Sequence, residues 1–247
     1  MRYPFLILLI SLSPFAFTQS YSNEDAAIQK NLHPRVYGLS FHYGAVLVHS
    51  NEVKNIQHAK PKGISFDWST QFIDSASYAY CRSYIRKGFT FYFYDLGTSI
   101  LGNAFIASYF LEPVYRIGKK FQFQFRGDLG IGYFSNPYDT IKNPKNKNYS
   151  LHITPSLHLS AGFGWHITRK IILAGNANFN HMSNGGNKEP NGGLNWSTFS
   201  VALLSATRGA GCRGCRTTEP WGRPAPECPS STRQTGQSQR LQKMFST

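Results

Sequence analysis

The chain has 247 residues, of which 15% are charged and 15% aromatic, with Gly (22), Phe (19) and Tyr (14) abundant. Soluble domains carry about a quarter charged residues, so this composition fits a β structure with an apolar outer surface better than a soluble helical one. The formal charge is +14, of which residues 20–204 hold 18 Lys/Arg against ten Asp/Glu, an excess that suits an anionic membrane surface.

Residues 1–19 read as a cleaved secretory signal. Arg2 is the sole charge, and the apolar run from Phe5 to Phe17 is too short to span a bilayer as a helix. Ala16-Phe17-Thr18 supplies small residues around a cleavage point. Residues 20–34 follow as an N-terminal periplasmic segment. No later stretch approaches the roughly 20 apolar residues of a membrane helix, which excludes a helical membrane protein. An exported chain without a nucleic-acid motif also argues against nucleic acid as a partner.

From residue 35 the sequence alternates with a period of two. In FQFQFRGDLGIGYF (121–134), Phe121, Phe123, Phe125, Leu129, Ile131 and Tyr133 fall on one face, and Gln122, Gln124, Arg126 and Asp128 on the other. Side chains of a strand alternate between its faces. Residues 151–168 repeat the pattern. Such runs exceed the usual five or six residues of a soluble strand and meet the roughly 9–11 of a tilted membrane strand. Similar stretches give eight strands, at about 35–49, 63–73, 88–96, 103–115, 121–134, 151–168, 170–183 and 194–204. Eight antiparallel strands make a small outer-membrane β-barrel whose interior is filled by the polar face. Short turns at 116–120 and 168–170 should be periplasmic, and the long polar connections 50–62 and 135–150 extracellular. The 74–87 connection, with Cys81, breaks that rule.

At about Ser205 residue usage shifts to Arg, Pro, Gly, Ser and Gln, with three of the four cysteines. No period of 2 or 3.6 remains, so 205–247 reads as a disordered or aberrant tail, a shifted reading frame being one origin. Cys212-Arg213-Gly214-Cys215 has metal or redox spacing, but no second Cys pair or His pair completes a set. No metal or other cofactor is expected.

The chemistry concentrates in the seventh strand and the loop after it, ILAGNANFNHMSNGGNKEPNGGLNW. Parity puts His181 and Ser183 on the apolar, lipid-facing side. Polar groups placed there need partners, and a Ser beside a His is the nucleophile–base pair of acyl transfer. Residence at the interfacial end of a strand accounts for the same residues without catalysis. On the eighth strand Asn195, Ser197, Phe199, Val201 and Leu203 share one face, so Asn195 faces out as well.

The string His181-Met182-Ser183-Asn184, followed by Pro190-Asn191-Gly192-Gly193-Leu194-Asn195, resembles the signature of the lipid A 3-O-deacylase (PagL-type) family, whose bacterial relatives are often labelled acyloxyacyl hydrolases. The resemblance is sharp over 181–195 and diffuse over about 35–204. It implies an eight-stranded outer-membrane barrel that removes an ester-linked acyl chain from lipid A of lipopolysaccharide, without a cofactor. Carried over by position, Ser183 is the nucleophile and His181 its general base, with Asn191 and the backbone N–H of Gly186 as oxyanion donors. The family's third triad member is a Glu, and Asn195 stands in its place. Its carbonyl can accept from the His but brings no negative charge; Glu189 is the alternative acid. Lys188 and the loop residues Lys142, Lys145 and Lys147 are candidates for the phosphates of the substrate. Lipid A and outer-membrane lipids are the expected partners, with a homodimer left open. Two other readings stand beside the esterase: a non-catalytic barrel with a structural or adhesion role, and a soluble β-barrel lipid binder.

Overall fold

The computed structural model describes residues 33–48, 51–73 and 83–207. The expected signal peptide, Cys81 and the Cys212–Cys215 pair lie outside the described residues. The chain forms a closed barrel of eight antiparallel strands, each paired with its neighbours in sequence and β1 with β8. The strands are β1 (Arg35–Val46), β2 (Lys62–Phe72), β3 (Tyr84–Asp95), β4 (Asn103–Ile117), β5 (Phe121–Phe134), β6 (Ile153–His166), β7 (Ile171–Met182) and β8 (Leu194–Ala206). A 3₁₀ helix, Asn51–Ile56, lies between β1 and β2.

The eight-stranded antiparallel barrel expected from the alternation is the fold observed. β5 has the expected bounds, and the others shift by a few residues. β3 starts at Tyr84, earlier than the expected 88, because its first turn breaks the apolar-out rule: Lys87 is exposed while Arg86 is buried. β6 starts at Ile153, leaving Leu151 and His152 in the preceding loop. β8 runs to Ala206, which pairs with Val36, so Ser205 and Ala206 belong to the barrel.

Between its two ends the outer wall is apolar, with Phe41, Phe91, Phe125, Ile131, Phe163 and Phe199 exposed. This is the surface an outer-membrane barrel turns to lipid. The interior is layered. Near the termini Val36, Ile172, Ala202 and Leu204 form an apolar layer. At the opposite end Tyr94, Phe134, Met182, Leu194 and Trp196 form a larger one. Between them sits a charged layer centred on Arg126. Its Nη1 donates to Asp67 Oδ2 at 2.8 Å, and its Nε and Nη2 donate to the two Asp128 oxygens at 2.8 and 2.9 Å. Arg86 Nη2 bridges both Glu112 oxygens at 2.6 and 2.7 Å. Thr90 and Tyr92 donate to Asp67 and Asp128 at 2.8 and 2.7 Å. Charges taken out of water are tolerated only when paired and hydrogen-bonded. Here the pairs join β2, β3, β4 and β5 across the lumen and fill it with side chains.

At the end that carries the termini the turns 118–120 and 167–170 are short, the 73–83 connection being the exception, whereas 135–152 and 183–193 at the other end are long. Barrels of this type keep short turns in the periplasm and long loops outside. The ends of β7 and β8 at His181 and Asn195 are therefore extracellular.

Candidate functional site

β7 and β8 pair in a register that sets His181 directly opposite Asn195, and Met182 opposite Leu194. Alternation turns His181 and Asn195 outward. Met182, Leu194 and Trp196, next to them in sequence, point inward and are fully buried in the apolar layer. The outward pair thus stands on a packed platform. His181 Nδ1 lies 2.6 Å from Asn195 Oδ1. Because a carboxamide oxygen only accepts, that contact selects the tautomer with hydrogen on Nδ1. It leaves Nε2 with a free lone pair, which is the form a general base needs.

Ser183 is the first residue beyond β7. Asn191 Nδ2 donates to its Oγ at 3.2 Å, and the Gly185 N–H reaches the same oxygen at 3.3 Å. Asn191 Oδ1 in turn accepts from the Asn184 N–H at 3.2 Å. Asn191 and Ser183, paired in the sequence reading, are therefore together. Among the described residues no hydrogen bond joins Ser183 Oγ to His181. The two side chains share one side of the strand, two residues apart, and catalytic contacts are often long without substrate. The Gly186 N–H, expected beside Ser183, is held by Asn184 Oδ1 at 3.0 Å; Gly185 is the glycine at Oγ. Glu189 is not at His181 either. Its Oε2 accepts from the Asn191 N–H at 2.9 Å, so it orients Asn191.

Gly193 adopts a φ of +70°, and a Cβ there would sit 3.6 Å from His181 Cε1. A non-glycine residue would be strained in that left-handed region, so Gly193 brings the chain back past the imidazole into β8.

The loop carrying Ser183 is tied to its neighbour. Asn184, buried, donates through Nδ2 to Lys188 O at 2.7 Å and to Ser150 Oγ at 3.1 Å. Ser150 Oγ donates to the same carbonyl at 2.7 Å. Gly192 and Gly193 N–H groups donate to Lys147 O and Asn148 O, each at 2.9 Å. These ties bring the Lys188 carbonyl to Asn184 and the Lys147 carbonyl to Gly192. Asp139, in the same loop, accepts from the backbone of Lys142 and Ile141, which holds its carboxyl below the usual range. Sequence pattern alone gives Asn184, Ser150 and Asn148 no role at the site. Asn184 carries two signals, its place on the inward parity of β7 and its place in the string that starts at His181. Among the described residues no three His, Cys, Asp or Glu side chains gather as metal ligands would.

The arrangement brings a serine hydroxyl with amide donors on it, and a histidine with hydrogen on Nδ1, to the extracellular end of the barrel. A search of curated proteins gives no match. Among solved structures, Neisserial surface protein A is similar at 8% identity over 69% of this chain and 96% of that one, with a TM-score of 0.47. The outer membrane enzyme PagL is similar at 12% identity, over 67% and 97%, with a TM-score of 0.46. The N-terminal β-barrel domain of Pseudomonas aeruginosa OprF follows at 8% identity, over 70% and 98%, with a TM-score of 0.41. The family profile of lipid A 3-O-deacylase (PagL) matches residues 53–203. With more than half of its length matched, and the signature residues inside that match, this outer-membrane barrel belongs to the lipid A 3-O-deacylase (PagL) family.

Proposed function

We propose that this chain is a serine esterase that hydrolyses an ester-linked acyl chain of lipid A from the outer leaflet of the outer membrane. The observation that carries the reading is the 2.6 Å pair of His181 and Asn195 on the outward face, two residues before Ser183. A His held there by a dedicated acceptor costs solvation at a lipid-facing wall, and acyl transfer gives it a use.

In this reading the Ser183 hydroxyl turns from Asn191 towards His181 Nε2, which takes its proton as Oγ attacks the ester carbonyl. The carbonyl oxygen becomes an oxyanion. Asn191 Nδ2 and the N–H groups of the Gly185-Gly186 turn supply donors for it, the Gly186 N–H leaving Asn184 Oδ1. The tetrahedral intermediate expels the sugar alkoxide, which takes the proton from Nε2. Water, deprotonated by the same nitrogen, then releases the fatty acid from Ser183. Asn195 holds the imidazole in place throughout. It accepts from Nδ1 without charge, so the imidazolium is stabilised less than by a carboxylate. Lys147 and Lys188 flank the site as cations for the substrate's phosphates.

The test is lipopolysaccharide incubated with the purified protein in detergent, followed by mass spectrometry of lipid A. Loss of one acyl chain with wild type, and none with Ser183→Ala, is expected. Equal deacylation by Ser183→Ala rejects the assignment. A second reading, a non-catalytic barrel, draws on the uncharged Asn195 and on Ser183 Oγ being engaged by Asn191 instead of His181. It predicts unchanged lipid A for both proteins.

A further inference from the structure

At the other end of the barrel the lipid-facing wall carries a polar row. Arg35, Thr70 and Lys87 are direct cross-strand partners on β1, β2 and β3. Directly opposed residues share a face, and Arg35 and Lys87 are exposed, so the row projects outward. Arg35 Nη1 donates to Thr70 Oγ1 at 3.0 Å, which leaves the threonine hydrogen free to donate onward. Both cations lie over aromatic rings of β2. The Arg35 guanidinium is 5.9 Å from the Trp68 ring centroid, and Lys87 Nζ is 4.5 Å from that of Phe72. Aromatic side chains on the outer wall near the strand ends mark the depth of lipid headgroups.

The cations have no counter-charge within the described residues. Of the acids on the adjoining strands, Asp67 and Glu112 are buried in the lumen on Arg126 and Arg86, and Asp95, at the far end of β3, pairs with Lys62. Neither Arg35 nor Lys87 forms an ion pair there. The row thus presents two positive charges and a hydroxyl donor, with an apolar wall of Trp68, Phe66 and Phe89 running from it towards the bilayer core. An anion with a hydrocarbon tail matches that pattern. Two cations exceed the charge of one phosphate, so a headgroup that adds its own ammonium is disfavoured against one that does not.

We infer that Arg35, Thr70 and Lys87 form a binding site for the phosphate of an anionic phospholipid in the periplasmic leaflet. The site is independent of the esterase reading. Full-length protein folded in detergent is titrated with phosphatidylglycerol or phosphatidylcholine, and the first bound lipid is counted by native mass spectrometry. Phosphatidylglycerol is expected to be retained in preference to phosphatidylcholine. Arg35→Gln and Lys87→Gln should each weaken it about fivefold, the effect of one basic residue at a membrane surface. Arg35→Lys with Lys87→Arg, which keeps both charges, should retain the lipid. Retention equal to wild type in the doubly neutral variant, its fold verified by heat-modifiable gel migration, overturns the inference. So does loss in the charge-conserving pair, or displacement by millimolar inorganic phosphate, which would assign the site to a free anion.

Discussion

Asn195→Asp isolates the one departure of the site from the family pattern. Asp has the length of Asn, so the 2.6 Å contact with His181 Nδ1 persists while the amide NH2 is exchanged for a charged oxygen. Glu, one methylene longer, would have to fold back in a gap that Asn already closes. In the proposed mechanism the transition state makes His181 an imidazolium whose charge lies roughly 4 Å from the new carboxylate. At an effective dielectric of about 20 that attraction is about 4 kcal/mol. Both residues are only partly buried, and solvent screening reduces the gain to about 2–3 kcal/mol. At 1.36 kcal/mol per decade this is a rise in kcat of about 30- to 150-fold. The reverse change in a fully buried triad costs about 10⁴, which sets an upper bound. The charge acts only once the imidazolium forms, so KM should change little. Initial rates of fatty-acid release from lipopolysaccharide in detergent check this. A folded Asn195→Asp protein no faster than wild type would refute the role given to Asn195.

Three further outcomes follow from the geometry. Asn191→Ala removes the Nδ2 donor at Ser183 Oγ and should lower kcat by about 10² or more, the cost of one oxyanion donor, as read in the same assay. Gly193→Ala forces a Cβ into a φ of +70° beside His181; it should cost about 1–2 kcal/mol of stability, seen as a lower urea midpoint, and reduce deacylation. Arg126→Leu strands Asp67 and Asp128 in the lumen. It should destabilise the barrel by about 3–5 kcal/mol in reversible urea unfolding, while a variant that still folds keeps the His181–Asn195 pair.

The barrel was legible because lipid outside and packed side chains inside impose one period on every strand. β5 shows it unbroken, with Phe121 to Tyr133 outward and Gln122 to Asp128 inward. The start of β3 is hidden because its inward residue, Arg86, is neutralised by Glu112, its cross-strand partner on β4, and its outward residue, Lys87, belongs to the interface. Parity alone also put His181, Ser183 and Asn195 on one outward face, and the register adds that the first and last are direct partners. The supports of the site were illegible. Asn184 reaching Ser150, and Gly193 reaching Asn148 O, depend on how two loops meet, which no local pattern encodes. The position of Glu189 on the Asn191 N–H depends on the same loop path.

The most direct test of the esterase account is lipid A mass spectrometry on membranes from cells expressing wild type, Ser183→Ala or no protein. The account predicts lipid A lacking one acyl chain with wild type alone, and identical unmodified lipid A in the other two. Unmodified lipid A in all three, with the wild-type barrel folded in the membrane, would contradict it.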